Sequence, residues 1–185
     1  MVRDILFAIW FMLPAAVANV VPIVSKKLPL LSRWNTPVDF GLTFRGKPLL
    51  GTHKTWRGII TGVVAALIAF WLLKLFAGHW SWVHHIATDG GDYTQLSLWF
   101  GVVTGFGALL GDMVKSFWKR QLGIASGHSW VPFDQVDYII GGVLLSLPFA
   151  VLSWSQYVWI FLIWFGMHLL FSYLGYKWGL KDTPI

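Results

Sequence analysis

The sequence predicts an all-α integral membrane protein of about five transmembrane helices with a polar, cytoplasmic-side cavity. Three observations carry this. Five stretches, roughly 5–24, 57–77, 96–114, 138–153 and 155–176, are largely apolar over the length a bilayer crossing requires. The chain is 56% hydrophobic and 12% charged, with 13 tryptophans, which is membrane-protein composition. Lysine and arginine fall on alternate connections between those stretches.

The first stretch carries Pro14, Asn19 and Pro22, which a membrane helix tolerates when neighbours re-satisfy the freed backbone groups. Only Arg3 precedes it as a base, and the apolar run is long enough to be retained as a span rather than cleaved as a signal. The segment 25–57 follows, with Lys26, Lys27, Arg33, Arg45, Lys47, Lys54 and Arg57. Its proline, glycine and threonine content reads as an ordered loop. The connection 78–95 has no Lys or Arg, and its His79, His84, His85, Asp89 and Asp92 read as a solvated loop. The fourth stretch is short and reaches across by starting near Asp134. Lys115, Lys119 and Arg120 lie between the third and fourth spans, and Lys177 and Lys181 follow the fifth. An N-terminus outside then puts every basic segment in the cytoplasm. Trp80, Trp82, Trp99, Trp154, Trp159 and Trp178 fall near span ends, as an aromatic belt does. One domain, 1–185, is expected, without internal repeats. The absence of cysteine excludes disulfides, thiolate nucleophiles and Cys-ligated zinc.

The chemistry concentrates in two short runs. Gly111–Arg120 and Val131–Asp137 hold three acids and three bases in a chain that is otherwise mostly hydrocarbon. Charge beside lipid is expensive, so this density marks a functional site. Asp134 and Asp137 are three apart and share one face of a helix opened by Pro132. Paired oxygen ligands suit Mg²⁺ completed by substrate phosphates. Acids in a first helical turn are also favourable without any ligand. Asp112 closes the third span, where the helix dipole disfavours it, so it points at Lys115 or a metal. Lys115 and Lys119 are four apart and, with Arg120, could hold phosphate oxygens or simply touch anionic headgroups. The loop Gly51–Gly58 leads Lys54, Thr55 and Arg57 into a helix N-terminus, a plausible phosphate cradle that is not a Walker A motif. Asn19 needs a partner within its span or faces a substrate cavity. Ser116 could bind phosphate, but nothing activates it as a nucleophile. His168 reads as a hydrogen-bonded core residue, and His128 lies in a polar loop.

The run Gly111-Asp112, Lys115-Ser116-Phe117, Lys119-Arg120, Gly123, Gly127, Pro132, Asp134-Gln135, Asp137 and Gly141-Gly142 resembles the signature of CDP-archaeol synthases, relatives of the CDP-diacylglycerol synthases. Asp39-Phe40-Gly41, Gly46 to Gly51 and Lys54 to Gly58 resemble that family's first cytoplasmic loop. Gln135 stands where the diacylglycerol branch carries Arg, which favours the archaeol branch. The resemblance implies a five-span, Mg²⁺-dependent cytidylyltransferase of phospholipid biosynthesis in the cell membrane. An isoprenoid-ether phosphatidic acid attacks the α-phosphate of CTP, giving a CDP-lipid and pyrophosphate. Carried over, Asp134 and Asp137 bind Mg²⁺ with Asp112 as a further acid. Lys115, Ser116, Lys119 and Arg120 hold phosphates. Lys54, Thr55 and Arg57 line the nucleotide or lipid-phosphate side, and Asn19 faces the cavity. CTP and a membrane lipid phosphate are the implied partners, nucleic acid is not one, and a homodimer is compatible with the reading. The alternatives are the same chemistry on diacyl phosphatidic acid, a small transporter of a phosphorylated solute and a non-catalytic lipid-binding scaffold. Five unrelated spans argue against the transporter.

Overall fold

The computed structural model describes residues 2–88, 91–125 and 128–178. Asp89, Gly127 and Lys181 lie outside the described residues. Seven α-helices are described: α1 (Val2–Ser25), α2 (Pro29–Ser32), α3 (Trp56–His79), α4 (Ser81–Ala87), α5 (Trp99–Gln121), α6 (Phe133–Ser146) and α7 (Trp154–Lys177). A two-stranded hairpin of β1 (Thr43–Phe44) and β2 (Lys47–Pro48) sits between α2 and α3. Arg45 and Gly46 both take positive φ, 52° and 75°, as the tight turn of a two-residue hairpin requires.

Four helices, α1, α3, α5 and α7, have the length and apolarity to cross a membrane. Only 22% of the most apolar window of α3 and 17% of that of α7 is buried inside the protein. Apolar yet uncovered helix surface is what a lipid-facing wall looks like. The fourth stretch departs from the sequence reading. Its helix, α6, has 14 residues, about 21 Å at 1.5 Å per residue, and is too short to cross alone. Pro148 is the reason: it has no N–H with which to continue the helical hydrogen bonds, and α6 stops at Ser146 with Leu147 as its C-cap. The segment beyond continues to the far end of α5, where Phe149 meets Phe100 edge-on with centroids 6.0 Å apart. Four long helices and one short helix with an irregular extension therefore traverse the bundle.

Two further expectations change. The third span does not end near Asp112, because the bases at 115, 119 and 120 continue the helix and α5 runs to Gln121. The segment at His84 and His85 is the helix α4 rather than an irregular loop, capped by Thr88 N–H to the His84 carbonyl. Trp159 lies more than one turn inside α7 and packs on the core.

An aromatic cluster closes the end of the bundle opposite the basic loops, where Lys74 donates to the Leu96 carbonyl (2.8 Å). Phe7 contacts Tyr93 with centroids 5.0 Å apart, Phe11 contacts Phe100 at 5.1 Å, and Phe70 contacts Phe100 at 4.9 Å. Hydrogen bonds tie α7 to α1 and α6: the Trp164 indole donates to the Ala8 carbonyl (2.9 Å) and the Tyr138 hydroxyl donates to the Trp164 carbonyl (3.0 Å). Ser153 and Gln156 form a reciprocal capping box that starts α7.

Absent side chains set the helix spacing in the rest of the bundle. A Cβ on Gly111 of α5 would lie 2.1 Å from the Asp137 carbonyl oxygen of α6, and a Cβ on Gly141 of α6 would lie 2.1 Å from the Gly107 carbonyl oxygen. Small residues let membrane helices approach at backbone distance in this way. The neighbouring Gly142 faces α1, where its Cβ would meet Met12 and Ala15 at 3.1 Å. Gly111→Ala is expected to destabilise the protein by about 1–3 kcal/mol, because the backbone must yield. Gly78→Ala has nothing within 4 Å and is expected to be neutral. Thermal unfolding of both variants in detergent measures the difference.

Candidate active site

The loop before α3 is pinned in several places. Pro37 bridges Thr55, Val38 N–H donates to the Lys54 carbonyl (2.8 Å), and Trp56 N–H donates to the Thr36 carbonyl (3.1 Å). The buried Asp39 carboxylate accepts from Gly41 N–H (3.0 Å) and Leu50 N–H (2.9 Å). Phe44 packs at a tilt against Phe117 of α5 with centroids 5.8 Å apart, and Lys47 donates to the Gln121 carbonyl. Gly51, at φ 93°, turns the chain back toward α3. This ordering holds Lys54 over the middle of α5, where its ammonium meets Asp112.

Asp112, Lys115 and Lys119 repeat at three and four residues and share one face of α5. Asp134 and Asp137 share one face of α6 in the same way. The glycine crossing brings the two faces together. The Lys115 ammonium lies 3.0 Å from Asp112 Oδ1, 2.8 Å from Asp134 Oδ1 and 2.7 Å from Asp137 Oδ2. Lys119 lies 3.1 Å from both oxygens of Asp134 and donates to the His128 carbonyl. Trp130 N–H also donates to Asp134. Three carboxylates and three ammonium groups thus form one formally neutral cluster. Among the described residues, no group of three or more His, Cys, Asp or Glu side chains stands as a ready metal cage. The donor set nevertheless fits a hard cation, because three carboxylate oxygens already surround a single positive point.

A cleft of about 630 Å³ opens on this cluster and falls in the range of small-molecule sites. Lys54, Asp112, Lys115, Lys119, Asp134 and Asp137 line its charged part, together with Lys26 and His53. Asn19 from α1, Gln135 from α6, and His168 and Ser172 from α7 add uncharged polar groups to the lining. Arg57 borders the cleft while its guanidinium donates to Asn35 Oδ1 (2.8 Å). Thr55 also borders it, with its hydroxyl engaged as the N-cap that accepts from Gly58 N–H.

Two residues expected at the site do not line the cleft. Ser116 and Arg120 each follow a cleft-facing lysine by one position, so each is turned about 100° around α5. Ser116 is buried, and the Arg120 side chain runs past Gly51, whose Cβ would lie 3.8 Å from Arg120 Cδ. His168 is a cleft residue as well as a core one, with its ring 5.9 Å from that of Tyr138. Lys26, His53, Ser172 and Gln135 went unremarked as cleft residues in the sequence. Of these, Gln135 and His53 had a signal, since Gln135 sits between the paired acids and His53 lies in the Gly51–Gly58 loop.

A second, almost wholly apolar groove of about 430 Å³ runs along the other side of the α5–α6 pair. Leu110, Val114, Trp118, Phe133, Ile140 and Leu144 line it, and Lys115 and Asp137 border both spaces.

The whole chain, residues 1–185, matches the family model for CarS-like CDP-archaeol synthase. It is 30% identical to the CDP-archaeol synthase of Thermococcus kodakarensis over 182 residues, covering 98% of this chain and 96% of the relative. It is 34% identical to that of Methanoregula boonei, covering 94% and 99%, and 35% identical to that of Thermofilum pendens, covering 94% and 78%. A solved structure described as an intramembrane enzyme for archaeal membrane lipids biosynthesis superposes with a TM-score of 0.69 at 29% identity, covering 89% of this chain and 92% of that one. With the family model matched from end to end and a site of acids and lysines at one end of a membrane bundle, the chain belongs to the CDP-archaeol synthase family.

Proposed function

We propose that the protein is a membrane cytidylyltransferase that joins CTP to an isoprenoid-ether lipid phosphate, releasing pyrophosphate. One observation carries the reading: three carboxylates and three ammonium groups meet in a cleft that shares Lys115 and Asp137 with an apolar groove. Polyphosphate chemistry and a hydrocarbon tail thereby gain adjoining places. The names of the relatives supply the product class.

In the reaction, a phosphate oxygen of the lipid attacks the α-phosphorus of CTP. The bond from that phosphorus to the bridging oxygen breaks, and pyrophosphate leaves. Such transfers depend on positioning and charge neutralisation more than on covalent help from the protein. Asp112, Asp134 and Asp137 would hold Mg²⁺, which supplies charge neutralisation on the phosphate oxygens. Lys54, Lys115 and Lys119 then exchange carboxylate partners for phosphate oxygens, and Arg57 borders the same space. Lys26 and His53 add positive or polar character at the mouth. Ser116 and Arg120 act on the packing of α5 and the loop rather than on substrate. The apolar groove takes a lipid tail that arrives sideways from the leaflet.

Every basic loop lies at the cleft end of the bundle, and the positive-inside rule puts that end in the cytoplasm and the N-terminus outside. The host is the cell membrane.

Purified protein in detergent, given CTP, Mg²⁺ and a geranylgeranyl-ether lipid phosphate, is expected to release pyrophosphate. EDTA should abolish the release, and diacyl phosphatidic acid should be the poorer substrate. No release with either lipid would overturn the reading. Asp134→Asn and Asp137→Asn are each expected to lower kcat/KM by about 100-fold or more, while Asp92→Asn, in the opposite loop, should leave it unchanged. Ile140→Trp, which fills the apolar groove, should raise KM for the lipid and leave KM for CTP unaltered. Because the chain has no cysteine, single cysteines report topology directly. Thr43→Cys should react with an impermeant maleimide only after cells are opened, and Ser155→Cys in intact cells.

A further inference from the structure

The cleft contains a buried group that the transfer chemistry leaves unused. Gln135 is 1% exposed and lines the cleft, and its Oε1 has no hydrogen-bond partner among the described residues. Nearly all buried side-chain acceptors in folded proteins are paired, so an unpaired one calls for a reason.

Its position supplies one. Successive residues on a helix turn by about 100°, so Gln135 points away from the Asp134–Asp137 face. Gly142 lies two turns on along the same stripe of α6 and packs against Met12 and Ala15 of α1. Gln135 therefore looks toward α1, and the uncharged side chains of Asn19, His168 and Ser172 line the same cleft. The three-acid, three-lysine cluster lies on the α5 side of α6, and Gln135 stands apart from it in the same cleft. A nucleoside triphosphate likewise joins a charged end to an uncharged one.

We propose that Gln135 selects the base, its side-chain oxygen accepting a hydrogen bond from the exocyclic amino group of cytosine. The proposal rests on the cytidylyltransferase reading. An unpaired acceptor requires a donor. The glycerol of a dialkyl lipid phosphate offers only ether oxygens, which are acceptors. Ribose hydroxyls can donate, but every ribonucleotide has them and they select nothing. The amino group of cytosine is a donor, and uracil carries an acceptor in its place. Held with its oxygen toward the base, Gln135 pairs with cytosine and faces an acceptor in uracil, so the arrangement favours CTP over UTP.

The test compares pyrophosphate release from CTP, UTP and the CTP analogue lacking the exocyclic amino group, all with the same ether lipid. Wild-type protein should use CTP at least about 10-fold better than either competitor. Gln135→Leu, which keeps the volume and removes the acceptor, should lower kcat/KM for CTP by about 10- to 100-fold and leave the analogue nearly unchanged. A collapse of the preference would support base selection by Gln135. Equal loss on CTP and the analogue would overturn it, since a purely structural role affects both alike. If the variant does not fold, the wild type decides: equal use of CTP and the analogue overturns the proposal, and a clear preference supports an amino-group contact. Robust release from CTP with no base preference would overturn the proposal and spare the cytidylyltransferase reading. No release from any nucleotide would overturn both.

Discussion

The backbone contact between α5 and α6 is the constraint on which the rest depends. Gly107 and Gly111 on one helix and Gly141 on the other leave no room for a methyl group, so the two backbones touch. Direct contact of this kind puts the Asp134–Asp137 face within ion-pair reach of the Asp112–Lys115–Lys119 face. A wider crossing would leave the acids of α6 facing lipid, several ångströms from any base. Gly142 does the corresponding work toward α1 and brings Asn19 and Gln135 to one cleft. The short length of α6 belongs to the same design, since its N-terminal turn lies at the level of the charges rather than at the far end of the bundle.

Electrostatics explains why this cluster is stable without substrate and still available to it. Carboxylates largely removed from water are expensive unless paired, and removing one partner of such a pair costs about 3–5 kcal/mol. The lysines fill that role in the free protein. They stand where cations and phosphates would compete for both signs of charge, so each partner exchange replaces one pairing with another. The ordered loop before α3 completes the arrangement, because Lys54 reaches Asp112 only through the bridge of Pro37 to Thr55 and the Asp39 turn.

Much of this was legible in the residues, for physical reasons that can be named. Hydrophobic length and the placement of Lys and Arg give the spans, since the bilayer imposes both. Spacings of three and four place Asp112, Lys115 and Lys119 on one stripe, and Asp134 and Asp137 on another. The same periodicity, applied to Ser116 and Arg120, turns them off that stripe, although the motif they belong to reads as a continuous run. The fourth stretch already read as short and starting near Asp134, but its apolar length ran on to 153 and did not register that the helix ends before Pro148. The partnership of α5 with α6 was also hidden: a glycine pattern shows that a helix can approach closely but not which neighbour it approaches. Gln135 was visible as a residue between two acids, yet its burial and lack of a partner exist only in the folded chain.

The central claim is that three acids from two helices share one cation position. Electron paramagnetic resonance of Mn²⁺ added to the purified protein with CTP addresses it most directly. The account predicts tightly bound Mn²⁺ in the wild type and loss of that signal when Asp112, Asp134 and Asp137 are all replaced by Asn. Undiminished Mn²⁺ binding in the triple variant, with the protein still folded, would contradict it.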